Sequence, residues 1–226
     1  MLVKNWMTSH PITIDEGQSM IDAYELMKEN QIRVLPVMQQ DRLVGIVTDR
    51  DLKRASASDA NSLEIHELLY ILSKIIINDI MTANPITVNV DHTIEETAEI
   101  LRRNRISSVP VVDEHGTLKG VITQTDLFRA IISLTGLSKR GIQFGLILDD
   151  RPGSIKEVTD IIRKYGGRLA SILSSYDQAP KNQRKVYIRM YDLDRSNLPQ
   201  LKEELKKFVT FLYIVDLRDN VREIFY

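Results

Sequence analysis

The chain has 226 residues, 43% hydrophobic and 27% charged, the mixture of a globular protein of one or two domains and not of a disordered, collagen-like or coiled-coil chain. Thirty Lys plus Arg oppose 31 Asp plus Glu for a net charge of −1, which argues against a direct nucleic-acid binder that must neutralise phosphates. Zero Cys excludes a disulfide framework, a thiolate metal site and a Cys nucleophile, and with no 18-residue apolar run or signal-like N-terminus the expectation is a cytoplasmic protein without a membrane span.

Residues 3–55 repeat as residues 77–130, at an offset of 74 that becomes 75 after an insertion near His115, with 17 identities. Taken in order, Ile12-Thr13-Ile14 (Ile86-Thr87-Val88 in the second copy) is a short extended segment after Pro. Met20, Ala23 or Tyr24, and Met27 (Ile94, Ala98, Leu101) then recur at helical spacing. Val34–Met38 and Leu43–Val47 (Ser108–Val112 and Leu118–Ile122) read as strands flanking a polar turn, and a second helix follows. Each repeat is therefore strand, helix, strand, strand, helix, too small to bury a good core alone, so the two are expected to pack as a pseudo-twofold pair. Residues 56–76 form a turn-rich linker, and apolar spacing between Leu63 and Ile77 predicts a helix there.

Gly-h-h-Thr-x-x-Asp-Leu, with h apolar, occurs at Gly45–Leu52 and at Gly120–Leu127, each after an apolar-Pro-Val strand and an upstream Met-Thr-x-x-Pro. In these residues the chain resembles a tandem pair of CBS domains, the Bateman module, with domains at 3–55 and 77–132. Thr followed three residues later by Asp at a helix start is first of all a cap with an acidic return arm. A helix N-terminus also offers N–H groups to an anion, a Thr hydroxyl can donate to phosphate, and a carboxylate can accept from a ribose diol. The resemblance implies that Asp51 and Asp126 accept from ribose, that Thr48 and Thr123 touch phosphate, and that adenine lies against Ile12-Thr13 or Ile86-Thr87 and against Arg33-Val34 or Ser107-Ser108. It further implies sites assembled across the repeats, with Arg33 near the Asp126 half and Ser107-Ser108 near the Asp51 half. Arg33 and Arg50 could grip phosphate, where Ser107 and Thr125 cannot.

Residues 133–141 read as a linker. From Ile142 the pattern is strand (Ile142–Leu148), helix (Ile155, Val158, Ile162, Tyr165), strands (Leu169–Leu173 and Lys185–Tyr191), helix (Leu198, Leu201, Leu205, Phe208) and strand (Val209–Leu217). This βαββαβ order is the ferredoxin-like arrangement, making the whole chain mixed α/β. With Asp150-Arg151-Pro152-Gly153 before the first helix, residues 142–226 resemble an ACT domain, a regulatory module that commonly binds amino acids. The candidate ligand loop is Asp150, Arg151, Pro152 and Gly153 together with Arg168, which stands in a Gly-Gly-Arg-Leu segment where relatives carry Gly-Ala-Asn-Ile. Two CBS domains followed by ACT is similar in layout to the acetoin-utilisation AcuB type of protein.

No catalytic constellation stands out. His10, His66, His92 and His115 lack paired metal spacing, and no nucleophile elbow or P-loop is present, so neither enzyme activity, a catalytic cofactor nor a metal is expected. Three readings remain: an adenine-nucleotide sensor (AMP, ATP or S-adenosylmethionine as regulatory ligand) that signals to a regulated protein, an amino-acid sensor acting through the ACT domain, and a dimerisation adaptor whose motifs are only caps. In all three a homodimer is expected.

Overall fold

The computed structural model describes residues 1–57 and 73–225. They divide into two compact units, Met1–Ala130 and Ile131–Tyr226.

The first unit runs β1 (Thr8–Ser9), β2 (Ile14–Asp15), α1 (Met20–Glu29), β3 (Val34–Gln39), β4 (Arg42–Thr48), α2 (Asp49–Ala57), α3 (Ile77–Ile80), β5 (Thr82–Ala83), β6 (Val88–Asn89), α4 (Ile94–Asn104), β7 (Ser108–Val112), β8 (Leu118–Thr123) and α5 (Gln124–Leu134), whose last turn enters the second unit. Helices α1 and α4 each start at a capping box, Ser19 with Asp22 and Thr93 with Glu96, which satisfies backbone N–H groups that the first turn leaves open. Left-handed residues recur at matched positions of the two repeats: His10 and Asn84 at φ 50° and 48°, Gln31 and Arg105 at 54° and 55°.

Two four-stranded sheets result, β2-β3-β4-β5 and β1-β8-β7-β6. The short strands β1 and β5, absent from the sequence reading, exchange between repeats. Thr8 and Ser9 pair with Val121 and Gly120, and Thr82 and Ala83 pair with Ile46 and Gly45. The residues beside them follow: Val3, fully buried, belongs to the core of Val88, Leu101, Val109 and Ile122, while Ile77, also fully buried, joins Ile14, Leu35, Val37 and Val47. Burying such a side chain contributes about 1.5 to 3 kcal/mol, so each repeat helps to stabilise the other.

The exchange explains two of the repeated identities together. A Cβ on Gly120 would stand 2.7 Å from both Met7 Sδ and the Thr8 carbonyl oxygen, and one on Gly45 would collide with Met81. The Met-Thr of one repeat thus requires the Gly of the other.

Most of the helix expected between residues 63 and 77 lies outside the described residues. At its end the expectation is not met: Ile76 bridges Ser19, the Ile75 carbonyl accepts from Met20 N–H at 2.8 Å, and helix resumes only at Ile77. These apolar residues line an extended segment.

The second unit follows the expected βαββαβ order with β9 (Ile142–Asp149), α6 (Ser154–Lys164), β10 (Arg168–Ser175), β11 (Gln183–Tyr191), α7 (Leu198–Leu205) and β12 (Thr210–Asp216), then adds β13 (Val221–Ile224). The strand order β10-β11-β9-β12-β13 is antiparallel throughout. Phe144, Leu146, Ile188 and Met190 on one sheet face pack with Val158 and Ile162 of α6 and Leu201 and Leu205 of α7. Helix α7 stops before Phe208, placed in it by spacing, and Phe208 is half exposed.

Candidate nucleotide site

Within each repeat the sheet brings the candidate residues to one end. Val34 opens β3 opposite Thr48, the last residue of β4, and Asp49 N–H donates to the Arg33 carbonyl at 3.0 Å. Strand β2 runs parallel to β3 with Ile14 beside Val37, so Ile12 and Thr13 approach along the start of β3. The second repeat matches: Ser108 pairs with Thr123, Gln124 N–H donates to the Ser107 carbonyl at 2.9 Å, and Ile86-Thr87 lead into Val88 beside Val111. The backbone therefore ties Arg33-Val34 to Thr48 and Ser107-Ser108 to Thr123, each within its own repeat. The reason is the β3–β4 and β7–β8 hairpins, whose pairing returns each motif to the start of its own preceding strand.

At that end stand two helix N-termini with matching boxes. Asp51 Oδ2 accepts from Thr48 N–H at 2.9 Å and from its hydroxyl at 2.6 Å, and Asp126 Oδ2 accepts from Thr123 N–H at 2.9 Å and its hydroxyl at 2.8 Å. In return, the Thr oxygens take the N–H of Asp51 and Asp126 at 3.4 Å. The threonine hydroxyl thus donates to the carboxylate of its own cap. Because Ser19 and Asp22 make a similar box on α1, the motif alone signals a cap. Its place among the chain segments above is what singles it out.

The second carboxylate oxygen faces an arginine that the sequence reading passed over. Asp51 Oδ1 lies 3.6 Å from Arg54, and Asp126 Oδ1 lies 3.3 Å from Arg129. Arg54 and Arg129 occupy matched positions in the repeat alignment, the signal that could have found them. The two halves then differ. Arg129 also donates to the Trp6 carbonyl at 2.8 Å and stands over the Trp6 ring at 5.8 Å, linking Asp126 to the exchanged N-terminal segment. Both carboxylates are shielded, with side chains 14% and 10% exposed, whereas Arg33, Arg50, Thr13 and Ser107 are exposed, Ile86 is 43% exposed and Ser108 is buried.

A sequence profile described as CBS domain matches residues 3–58 and 77–133, half of the chain. This protein belongs to the CBS-domain family. Its CBS pair is 32% identical over 135 residues to a CBS domain-containing protein of Dictyostelium discoideum, covering 59% of this chain and 93% of that one. It is 37% identical over 117 residues to the inosine-5′-monophosphate dehydrogenase of Korarchaeum cryptofilum, covering 52% of this chain but spanning only 21% of the relative. Among solved structures, a CBS domain pair in complex with 5′-methylthioadenosine and S-adenosyl-L-methionine superposes with a TM-score of 0.50 at 30% identity, over 58% of this chain and 95% of that one. A Vibrio cholerae protein assigned to acetoin utilization (AcuB) gives 0.51 at 27% identity, over 61% and 95%. CBS pairs of this kind are regulatory modules, and the CBS architecture here is that of a module that adenosine-containing ligands occupy in a relative.

The candidate loop of the second unit does not come together as expected. Gly153, left-handed at φ 88°, caps α6, and Arg151 pairs with Glu157 through both terminal nitrogens at 2.8 and 2.6 Å. Asp150 lies 3.5 Å from Arg184. Arg168 stands at the opposite end of the sheet: it pairs with Tyr191, whereas the loop follows Asp149, which pairs with Gln183. About 25 Å of β11 separates the two positions, because α6 carries the chain back along the sheet before β10 begins. Among the described residues no cluster of His, Asp or Glu could hold a metal ion, and no helix is long and apolar enough to cross a membrane.

Proposed function

We propose that the CBS pair binds an adenosine-containing regulatory ligand of the AMP, ATP or S-adenosylmethionine class at the sheet ends carrying Thr48–Asp51 and Thr123–Asp126. The observation that carries this reading is the duplicated placement of a shielded carboxylate, one oxygen bonded within its own cap and the other held, among the described residues, by an arginine ion pair. That second oxygen is the acceptor for a ribose hydroxyl. The first-turn N–H groups lie at this sheet end, and Arg33 and Arg50, exposed at the start of β3 and of α2, are the candidates to supply charge for phosphate. The relative that binds 5′-methylthioadenosine and S-adenosyl-L-methionine supports the ligand class. Calorimetry with AMP, ATP and S-adenosylmethionine on the full chain, Asp51→Ala, Asp126→Ala and the double variant tests it. Each single change removes one site or weakens it by roughly 1.5 to 3 kcal/mol, the value of hydrogen bonds to a charged group. Unchanged affinity in the double variant refutes the assignment.

The protein then acts as a non-catalytic cytoplasmic regulator, in which nucleotide occupancy alters the segment from α5 into the second unit and is read by a regulated protein. Residues 142–226 serve as an ACT domain in this scheme, supported by the strand order β10-β11-β9-β12, with amino-acid binding at Asp150–Gly153 as the alternative input. A homodimer is supported by α5: Phe128, Ile131 and Ile132 are 61%, 50% and 52% exposed, where the matched positions of α2 are Lys53, Ser56 and Ala57. Sedimentation at twice 25.9 kDa is the expected result.

A further inference from the structure

Among the described residues, Arg189 is a buried cation with no acid beside it. It lies on β11 between Ile188 and Met190, which face the helices, so its side chain is on the helix-free face of the sheet. It is only 4% exposed. Nε donates to the Thr135 carbonyl at 2.8 Å and Nη2 to Gln143 Oε1 at 3.0 Å, while Nη1 is closed to solvent and has no acceptor. Burial holds the guanidinium below the usual arginine range, and the neighbouring titratable group is the Tyr213 phenol, not a carboxylate. Arg195 shows the contrast, its Nε and Nη2 closing on the two oxygens of Asp216 at 2.9 and 3.0 Å. At Arg189 the same Nε/Nη2 edge is filled by two neutral oxygens from separate residues, in the places that the two oxygens of one carboxylate would take.

The adjacent row of the sheet supplies a flat apolar surface. Tyr187 and Tyr213 both pair with Gly145, and their rings stack at 6.2 Å and 23° over it. Gly145 has to be glycine, because a Cβ there would stand 2.5 Å from the Tyr213 ring. The outward charges near this row are basic, Lys185 and Arg222, and the acid that ends β9, Asp149, pairs at the far end of the sheet with Gln183.

We propose that the helix-free face of the C-terminal sheet is a binding site for a small organic carboxylate, its carboxylate on Arg189 and its apolar body on the Tyr187–Tyr213 shelf. The carboxylate enters by replacing the Thr135 carbonyl, which Ser171 Oγ also holds at 2.8 Å. Binding therefore lifts the Thr135–Gly136 segment off β10 and β11. The residues of this site all belong to the second unit, and the proposal does not depend on the nucleotide reading.

The test compares benzoate with benzamide, and acetate with acetamide, at millimolar concentration on the full chain, reading thermal shift and hydrogen exchange over residues 135–141. In the wild-type protein the acids raise the melting temperature and speed exchange there, and the amides do neither. Arg189→Gln keeps a donor for Thr135 but removes the charge, and its benzoate affinity falls about tenfold or more, the size of a lost charge-assisted bond. Tyr213→Ala, which leaves Arg189 intact, weakens benzoate and spares acetate. Equal responses to acid and amide, no response in the wild type, or full response in Arg189→Gln overturns the proposal. So does a wild-type dimer that acetate or Arg189→Gln dissociates, since the carboxylate would then come from a second copy of the chain.

Discussion

Gly120→Ala tests the strand exchange at its tightest point. The added Cβ meets the Thr8 carbonyl oxygen at 2.7 Å as well as Met7 Sδ. A thioether can swing aside, but a backbone carbonyl in a two-residue strand moves only if β1 leaves β8. Overpacking of this kind costs about 1 to 3 kcal/mol, so a central value of about 2 kcal/mol lowers the melting temperature of a unit this size by roughly 6 °C. Gly45→Ala is the internal comparison: its new Cβ meets the flexible end of Met81 first, with the nearest backbone oxygen, that of Thr82, at 3.3 Å, and it should cost less than half as much. The chain has a single tryptophan, Trp6, two residues before β1 and packed with Val3 in the second-repeat core, so its emission reports detachment directly. Urea titration of both variants, followed by Trp6 emission and far-UV circular dichroism, should show a red-shifted Trp6 in Gly120→Ala before global unfolding. Gly120→Ala at wild-type stability with unshifted emission, or Gly45→Ala the more damaged of the two, refutes the reasoning.

Thr48→Val and Thr123→Val each remove a cap and should lower stability by about 1 kcal/mol in thermal melts, with Ser restoring most of it. Arg129→Ala severs Asp126 from the Trp6 carbonyl, so it should shift Trp6 emission while Arg54→Ala leaves that emission unchanged. Asp216→Asn breaks a shielded bidentate pair and should cost about 3 kcal/mol by denaturant titration. Burial pushes the Asp216 carboxyl up, but hydrogen bonds from Arg195, Arg218 N–H and Asp219 N–H outweigh it and hold the group below its ordinary value. Its contribution is therefore complete above the unfolded value near 3.9 and disappears as pH falls through the lower folded value. The acid limb of the wild-type stability profile should be steeper than that of Asp216→Asn.

The long elements were legible because their signals are local and periodic: apolar spacing gave α1, α4 and α6, and β-rich runs around polar turns gave the two hairpins. Strands β1 and β5 were not, since two residues carry no periodicity and their partners lie more than 30 positions away in the chain. Their trace was present all the same in the paired identities Met7/Met81 and Gly45/Gly120, which make sense only when read as one contact. Strand β13 followed a polar turn at Asn220 and carries half-exposed Val221 and Ile224, without the alternation of a buried edge. At the candidate site, the duplicated Thr-x-x-Asp is legible because both copies stand at the same place in the aligned repeats. The hairpin turn at Gln39–Arg42 returns β4 to Arg33, a backbone neighbourhood that the strand-turn-strand pattern already implies. Arg168 joined the Asp150 loop by family likeness, while the length of α6 carries it to the other end of the sheet.

The exchanged strands also bear on how such a chain arises. A single repeat written out as its own polypeptide would leave its Met-Thr segment without a sheet and its Gly-bearing strand without an edge partner, and two copies would satisfy both needs by trading segments. The present chain makes that trade inside one molecule, where covalent continuity sets the local concentration and no second gene product is needed. Once joined, the halves were free to diverge, and they have: among the described residues, the carboxylate on one side is tied through Arg129 to Trp6 and the other pairs with Arg54. Under the proposed function, unequal halves would let one ligand act at two thresholds.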